Sequence, residues 1–162
     1  MPYLSQKIKS TEEIQNVFES AVPLSKALGI CVNSYDAKSL SLSAPLAPNI
    51  NKHSTVFAGS QSAIGIAAGW GLVYSVCQDY GIKEEIVAFK SSIRFLRPLP
   101  GDFIALARWD EQLDIDEVKK CLSAGRNARL EIPVELICDD EVCSTLSCGY
   151  VLISEKPRTQ DT

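Results

Sequence analysis

Histidine is almost missing from this sequence: His53 is the only one. The six cysteines, Cys31, Cys77, Cys121, Cys138, Cys143 and Cys148, include no CxxC pair. Structural zinc needs four closely spaced thiolate or imidazole ligands, so no metal site is expected. The opening MPYLSQKIKSTEE lacks the apolar core of a signal peptide, and a cytoplasmic location is therefore expected. In a reducing compartment a disulfide framework is not expected either. The cysteines then read as buried, reduced thiols acting as small hydrophobes. A basic run is also missing and the net charge is −4, which argues against a nucleic-acid partner. No repeat, linker or low-complexity tract divides the 162 residues. One domain over 1–162 is expected, with its core from about 11 to 154 and a polar tail from Glu155 to Thr162.

The most informative absence is one of charge. From Val56 to Gln78 no charged residue occurs. A membrane span would need about 20 predominantly apolar residues, but Gly59, Ser60, Gln61, Ser62, Gly65, Gly69, Gly71 and Ser75 dilute this run. Amphipathic strands follow directly and no second span exists, so no membrane span is expected. The run reads instead as one long helix without a polar face, buried on every side by a curved sheet. Its small residues fit a backbone or a ligand coming close. Its first turn, near Ala58, Gly59 and Ser60, leaves backbone N–H groups without intrahelical partners. Those donors and the helix dipole make a place for an anion or a polarised carbonyl.

The rest of the chain supplies the wrapping. Ser10 and Glu13 have capping-box spacing ahead of Ile14, Val17, Phe18 and Ala21, so a helix runs over Ser10 to Ala21 until Pro23 bends or ends it. Leu28 to Tyr35 and Ser39 to Ala44 read as a strand pair around a turn at Asp36 to Lys38. Past a break at Gly81, Ile86 to Leu96 alternates, with Val87, Phe89, Ser91, Ile93 and Phe95 on one face. Arg97 to Asp102 reads as a tight connection, and Phe103 to Trp109 as the return strand. Asp114 caps a short helix that stops at Gly125. Ala128 to Leu136 alternates as a strand, where Pro133 implies an edge position or a bulge. Asp139 to Glu141 is a turn into a last strand, Val142 to Ile153. This is an α+β layout, an antiparallel curved sheet wrapped around a long central helix. Open sheet edges would call for a second subunit.

That order resembles the hotdog fold. Ala44 to Asn51 (APLAPNIN), Thr55 to Ser60 (TVFAGS) and Ala68 to Gly71 (AGWG) resemble the putative thioesterase family known as the YiiD C-terminal domain. Pro23 to Leu28 (PLSKAL) is similar to that family's entry to the first strand. Ile93 to Pro98 with Gly101-Asp102 resembles a strand-turn seen widely in hotdog thioesterases. The resemblance spans Thr11 to Ser154. It implies a homodimer or higher oligomer with a site at the subunit interface. The implied ligand is an acyl thioester of coenzyme A or of acyl carrier protein. Coenzyme A would be part of the substrate, and no separate cofactor is implied. The acyl chain would lie beside the central helix, with the thioester carbonyl at the opening amides.

Each residue near the helix start has an expected role and a plainer alternative. Gly59, with Ala58 or Ser60 beside it, is expected to polarise the carbonyl; otherwise it serves backbone fit at a helix start. Asn49 and Asn51 orient a water or hold the thioester, or else make turns. His53 is the candidate general base, or an exposed loop histidine. Thr55 reads as a helix cap or a substrate contact, and Ser60 and Gln61 as contacts to substrate or lytic water. Of Lys90, Arg94, Arg97, Arg126 and Arg129, Arg94 and Arg126 are kept as contacts for coenzyme A phosphates, against a solvated sheet face. Many hotdog enzymes carry an Asp or Glu on the central helix. This helix has none before Asp79, which argues against dehydration and leaves an alternative: a module that binds an acyl thioester without cleaving it and serves an acyltransferase.

Overall fold

A computed structural model describes residues 9–156. The residues from 157 to Thr162, expected to form a polar tail, lie outside it. Helix α1 runs over Thr11–Ala21 with the complete capping box at Ser10 and Glu13. It buries Ile14 and Phe18. A five-residue helix follows, α2 at Leu24–Leu28, closed by Gly29 in the left-handed region at φ +73. This corrects the expected strand from Leu28. Strand β1 covers only Cys31–Tyr35, because the chain must first unwind through Gly29. Strand β2 (Ser39–Ala44) pairs with β1 antiparallel, as expected.

Next come a short 3-10 turn at Ala47–Asn49 and the central helix α3 at Ala58–Asp79. Strands β3 (Glu85–Phe95) and β4 (Phe103–Arg108), helix α4 (Ile115–Ser123) and the long hairpin β5 (Ala128–Cys138) and β6 (Glu141–Ile153) complete the order. Asp114 caps α4, and Gly125 after it has φ +73. Asp139 and Asp140 take positive φ in the β5–β6 turn, the geometry of tight hairpins.

All six strands form one antiparallel sheet in the order β1-β2-β4-β5-β6-β3. Helix α3 lies against it so closely that side chains are excluded at the contact. A Cβ on Gly65 would come 2.5 Å from Leu146 Cδ2, and one on Gly69 would meet the Tyr150 ring. The layout is α+β with a long helix in a curved sheet, as the sequence implies.

Four further expectations are corrected. First, β3 and β4 do not form a hairpin: β3 pairs with β6 at one edge, and β4 lies between β2 and β5. The connection crosses beneath the start of α3, held where Val56 N–H donates to Leu99 O at 2.9 Å and where Leu96 and Arg97 N–H both donate to Cys143 O. Leu99 is fully buried there. Second, a register shift between Ala88 and Lys90 makes Phe89 a bulge. One extra residue reverses the alternation, so Val87 stands opposite Val151 on the outer face while Ile93 stands opposite Leu146 over the core. Third, Pro133 sits in β5, an inner strand, opposite Ser147 of β6. The β4 ladder stops at Val134, so its missing N–H falls where β5 has only one neighbour. Fourth, α3 is not buried on every side. Ser62, Ala63, Ile66, Ala67, Trp70 and Tyr74 are half-exposed along one stripe.

Candidate functional site at the start of the central helix

Phe57 occupies the N-cap position of α3, with φ −59 and ψ 135, and no side chain caps this end. The first intrahelical bond is Gln61 N–H to Phe57 O, 3.1 Å. The N–H groups of Ala58, Gly59 and Ser60 therefore have no partner among the described residues, as the first turn of any uncapped helix leaves them. Ala58 and Gly59 are exposed and Ser60 is buried. Gly59 has a steric reason too, because a Cβ there would run into the Phe57 ring.

A cavity of about 380 Å³ opens at this turn, lined by Asn51, Thr55, Val56, Ala58, Gln61, Phe95, Leu96, Arg97 and Pro98. It brings together four residues singled out in the sequence (Asn51, Thr55, Ala58 and Gln61) with the end of β3. The loop leading in is self-closed. Asn51 Oδ1 accepts from His53 N–H at 2.8 Å and Thr55 N–H at 3.2 Å, and Asn51 N–H donates to Thr55 O at 2.8 Å. Ser54 takes φ +61 at its tip. Thr55 gives its hydroxyl to this loop and does not cap α3.

Asn49 lies beneath the site, 2% exposed. Its Nδ2 donates to Leu28 O and to Pro45 O, each at 2.8 Å. Two acceptors fix the amide's orientation. Its Oδ1 is left as the one buried side-chain polar atom without a partner among the described residues. Gln61 is 5% exposed and held at both ends: Ser144 Oγ donates to its Oε1 at 2.6 Å, and its Nε2 donates to Val56 O at 3.1 Å. His53 is exposed on the loop and does not line the cavity. Arg94 stands opposite Thr145 on the outer face of the sheet. Arg126 follows α4, close to where Ala128 pairs with Leu152, at the far end of the sheet. Neither arginine lines the cavity.

Sequence reasoning weighed Arg97 among the basic residues that could meet coenzyme A phosphates and did not keep it, yet Arg97 lines the cavity and pairs with Glu141. It passed over Ser144. The signal was present: Ser144 sits at the inward phase of β6 with Leu146, Cys148, Tyr150 and Leu152, a hydroxyl in a row of core residues.

A second, apolar cavity of about 210 Å³ flanks the open stripe of α3, lined by Val22, Ala63, Ile66, Ala67, Trp70, Ala88 and Tyr150. Burial pushes the Tyr150 hydroxyl's pKa up, so it keeps its proton. It donates that proton to Ile66 O at 2.6 Å. Trp70 closes one end, stacked on Tyr74 with centroids 5.1 Å apart and edge-on to Phe18 at 5.9 Å. The arrangement can hold an apolar chain beside the helix and a polarised oxygen at its first turn. No group of His, Cys, Asp and Glu able to hold a metal exists among the described residues. No helix there is long and apolar enough to cross a membrane.

Residues 11–154 match the family described as putative thioesterase, of the YiiD C-terminal type. A putative thioesterase from Shewanella oneidensis is 32% identical, with a TM-score of 0.79 over 88% of this chain and 96% of that one. A protein of unknown function from Chlorobaculum tepidum is 24% identical with a TM-score of 0.82, covering 88% and 94% of the two chains. A thioesterase from Haemophilus influenzae shares the fold at 16% identity and a TM-score of 0.72, over 92% and 94%.

Proposed function

Because the chain belongs to the putative thioesterase family of the YiiD C-terminal type, with its hotdog fold, we propose that it hydrolyses acyl thioesters of coenzyme A or acyl carrier protein at the first turn of α3. The observation that carries this reading is a cavity opening on an uncapped helix start, one turn from an apolar stripe. Along α3 the rise from Gly59 to Trp70 is about 16 Å. An acyl chain laid along the stripe would place its carbonyl at Gly59 and its tail against Trp70.

The amides of Gly59 and of its neighbours Ala58 and Ser60 would donate to the thioester oxygen, and more strongly to the oxyanion that forms when water attacks. Collapse of that intermediate breaks the carbon–sulfur bond and releases a carboxylic acid and a thiol. Asn49 keeps an unclaimed buried acceptor with which to orient water; the Asn51 carboxamide is engaged by its own loop. His53, exposed on the loop outside the cavity, is the proton acceptor in this reading and would reach the attacking water through a second water. Arg94 and Arg126, both exposed, remain the contacts for the phosphates of coenzyme A. The site is completed by a second copy. Strand β3 is an eleven-residue edge, and Val87, Phe89, Phe95 and Leu96 on or just after it are 42–54% exposed. Such an edge invites pairing. Antiparallel pairing of two β3 strands would bring the Arg126 end of one copy toward the α3 start of the other.

The test is hydrolysis of an acyl-coenzyme A panel from two-carbon to long-chain acyl groups, followed by free-thiol release. Turnover on at least one chain length is expected. A folded protein that cleaves none of them rejects the proposal. One observation favours a second reading, an acyl-thioester-binding module serving an acyltransferase: neither α3 before Asp79 nor the cavity lining contains a carboxylate. Calorimetric binding of an acyl-coenzyme A with no thiol release would select it.

A further inference from the structure

Ser144 is wholly buried in β6 and lines no cavity at the helix start. Its hydroxyl nevertheless acts on that site through one intermediary. The Val56 carbonyl can only accept, so the Gln61 group facing it at 3.1 Å must be the Nε2 donor. Gln61 Oε1 is then the atom facing Ser144, and Ser144 Oγ, at 2.6 Å, must donate. The orientation of the Gln61 amide is thereby settled by chemistry at both ends.

Nε2 carries two protons. Val56 O takes one, and no acceptor among the described residues takes the other. Gln61 also lines the cavity with Ala58. Val56 in turn donates its own N–H to Leu99 O. A single relay therefore links β6, the first turn of α3, the segment before it and the β3–β4 connection, and three of these form cavity walls.

We propose that Gln61 is an additional donor to the thioester oxygen, supplied by its second Nε2 proton, and that Ser144 is the positioning residue that holds it there. This rests on the thioesterase reading above. Backbone amides alone are fixed by the helix. A side-chain donor with several rotatable bonds contributes fully only if something holds it before the substrate arrives. Ser144 does so by occupying the acceptor end of the amide, which leaves the donor end toward Val56 and the cavity.

The experiment is a double-mutant cycle on the best substrate of the panel, using Gln61→Met, Ser144→Ala and the pair, with thermal midpoints recorded in parallel. Gln61→Met keeps the length and apolar packing of the side chain but removes both amide groups. It is expected to lower kcat about 100-fold, as loss of one oxyanion donor does, with KM changed by less than about threefold. Ser144→Ala is expected to lower kcat about tenfold, also with little change in KM. The double variant is expected to be no slower than Gln61→Met alone, because Ser144 has no route to the substrate except Gln61. Multiplicative losses in kcat would overturn the proposal, as would a Ser144→Ala effect confined to KM and thermal midpoint. If Ser144→Ala does not fold, Ser144→Cys fills the site with a weaker donor and is expected to fall between wild type and Gln61→Met; wild-type kcat there would also overturn it. An active wild type with multiplicative losses removes only this inference. An inactive wild type removes the thioesterase reading and this inference with it.

Discussion

Gly65→Ala offers a test in which two known effects oppose each other. In an isolated helix the change would stabilise by about 1 kcal/mol, because alanine loses less backbone freedom than glycine. Here the new methyl would sit 2.5 Å from Leu146 Cδ2, 2.9 Å from Cδ1 and 3.2 Å from Cγ. Leu146 is 4% exposed, between neighbours on β5 and β3, so it has no open side to swing toward. Overpacking of this kind costs about 1–3 kcal/mol. The packing cost wins, and a net loss of about 1 kcal/mol is expected, or a fall of about 3 °C in thermal midpoint for a domain of this size. Leu146→Ala removes the obstructing atoms at a cost of about 2–5 kcal/mol for the cavity it leaves. In that background Gly65→Ala should change sign and stabilise by about 1 kcal/mol, since only the helix preference remains and the methyl fills part of the void. Urea denaturation of the four proteins, with m-values unchanged, measures the cycle. A Gly65→Ala that stabilises the otherwise wild-type protein, or equal effects in both backgrounds, would refute the claim that the sheet presses on α3 at this point.

Further expectations concern the site, the edge and the thiols. Ala58→Pro should leave the fold intact, since Phe57 already has the extended backbone that a following proline requires and proline is tolerated at the first helical position; it deletes one donor and should cut thioester turnover at least about tenfold, and unchanged turnover would show that the Ala58 amide does not reach the substrate. Val87→Lys with Phe95→Lys places charges on the open edge of β3 and should convert the assembly to monomers by sedimentation velocity; a wild type that is already monomeric contradicts the expected pairing. A thiol reagent should modify exposed Cys31 first and Cys121 more slowly, with Cys77, Cys138, Cys143 and Cys148 reacting only on unfolding. Burial pushes the Cys77 thiol from 9.0 up to about 12 and, by the same cause, raises Cys148, Tyr35 and Tyr150. These groups hold their protons more tightly folded than unfolded, so the stability they lend is complete below pH 9 and is lost as the pH rises toward 12. The thermal midpoint should therefore fall across that window, and a flat profile there would argue against their burial.

Much of this architecture was legible because it rests on local chemistry. The capping box at Ser10 and Glu13, the alternation of β5 and the Asp114 cap each depend on a few neighbouring residues, and each stands where it was expected. What was not legible depends on partners distant in sequence. The slip at Phe89 is tied to Gly149, whose bare backbone leaves room for the Phe89 ring on the opposing strand. Pro133 looked like an edge residue because the sequence cannot show that the pairing between β4 and β5 ends at Val134, one residue short of it. The apolar run of α3 promised burial all round; in the single chain one stripe stays half open, and sequence alone cannot distinguish a face covered by its own sheet from one left for a ligand or a second copy. At the site, the uncapped helix start could be read from residues 56–61. Ser144 could be read only as an inward hydroxyl of β6; that it and Arg97 meet this helix start could not, because the crossing connection and the long-range pairing of β6 bring them there.

The central claim is that the opening amides of α3 meet a thioester oxygen. A crystal structure with a non-hydrolysable acyl-coenzyme A analogue measures this directly. The account predicts its carbonyl oxygen about 2.7–3.1 Å from the Gly59 nitrogen or an adjacent first-turn amide, with the acyl chain running toward Trp70. An analogue bound elsewhere, or a neighbouring subunit packed tightly over residues 58–60 with no room for a ligand, would contradict it.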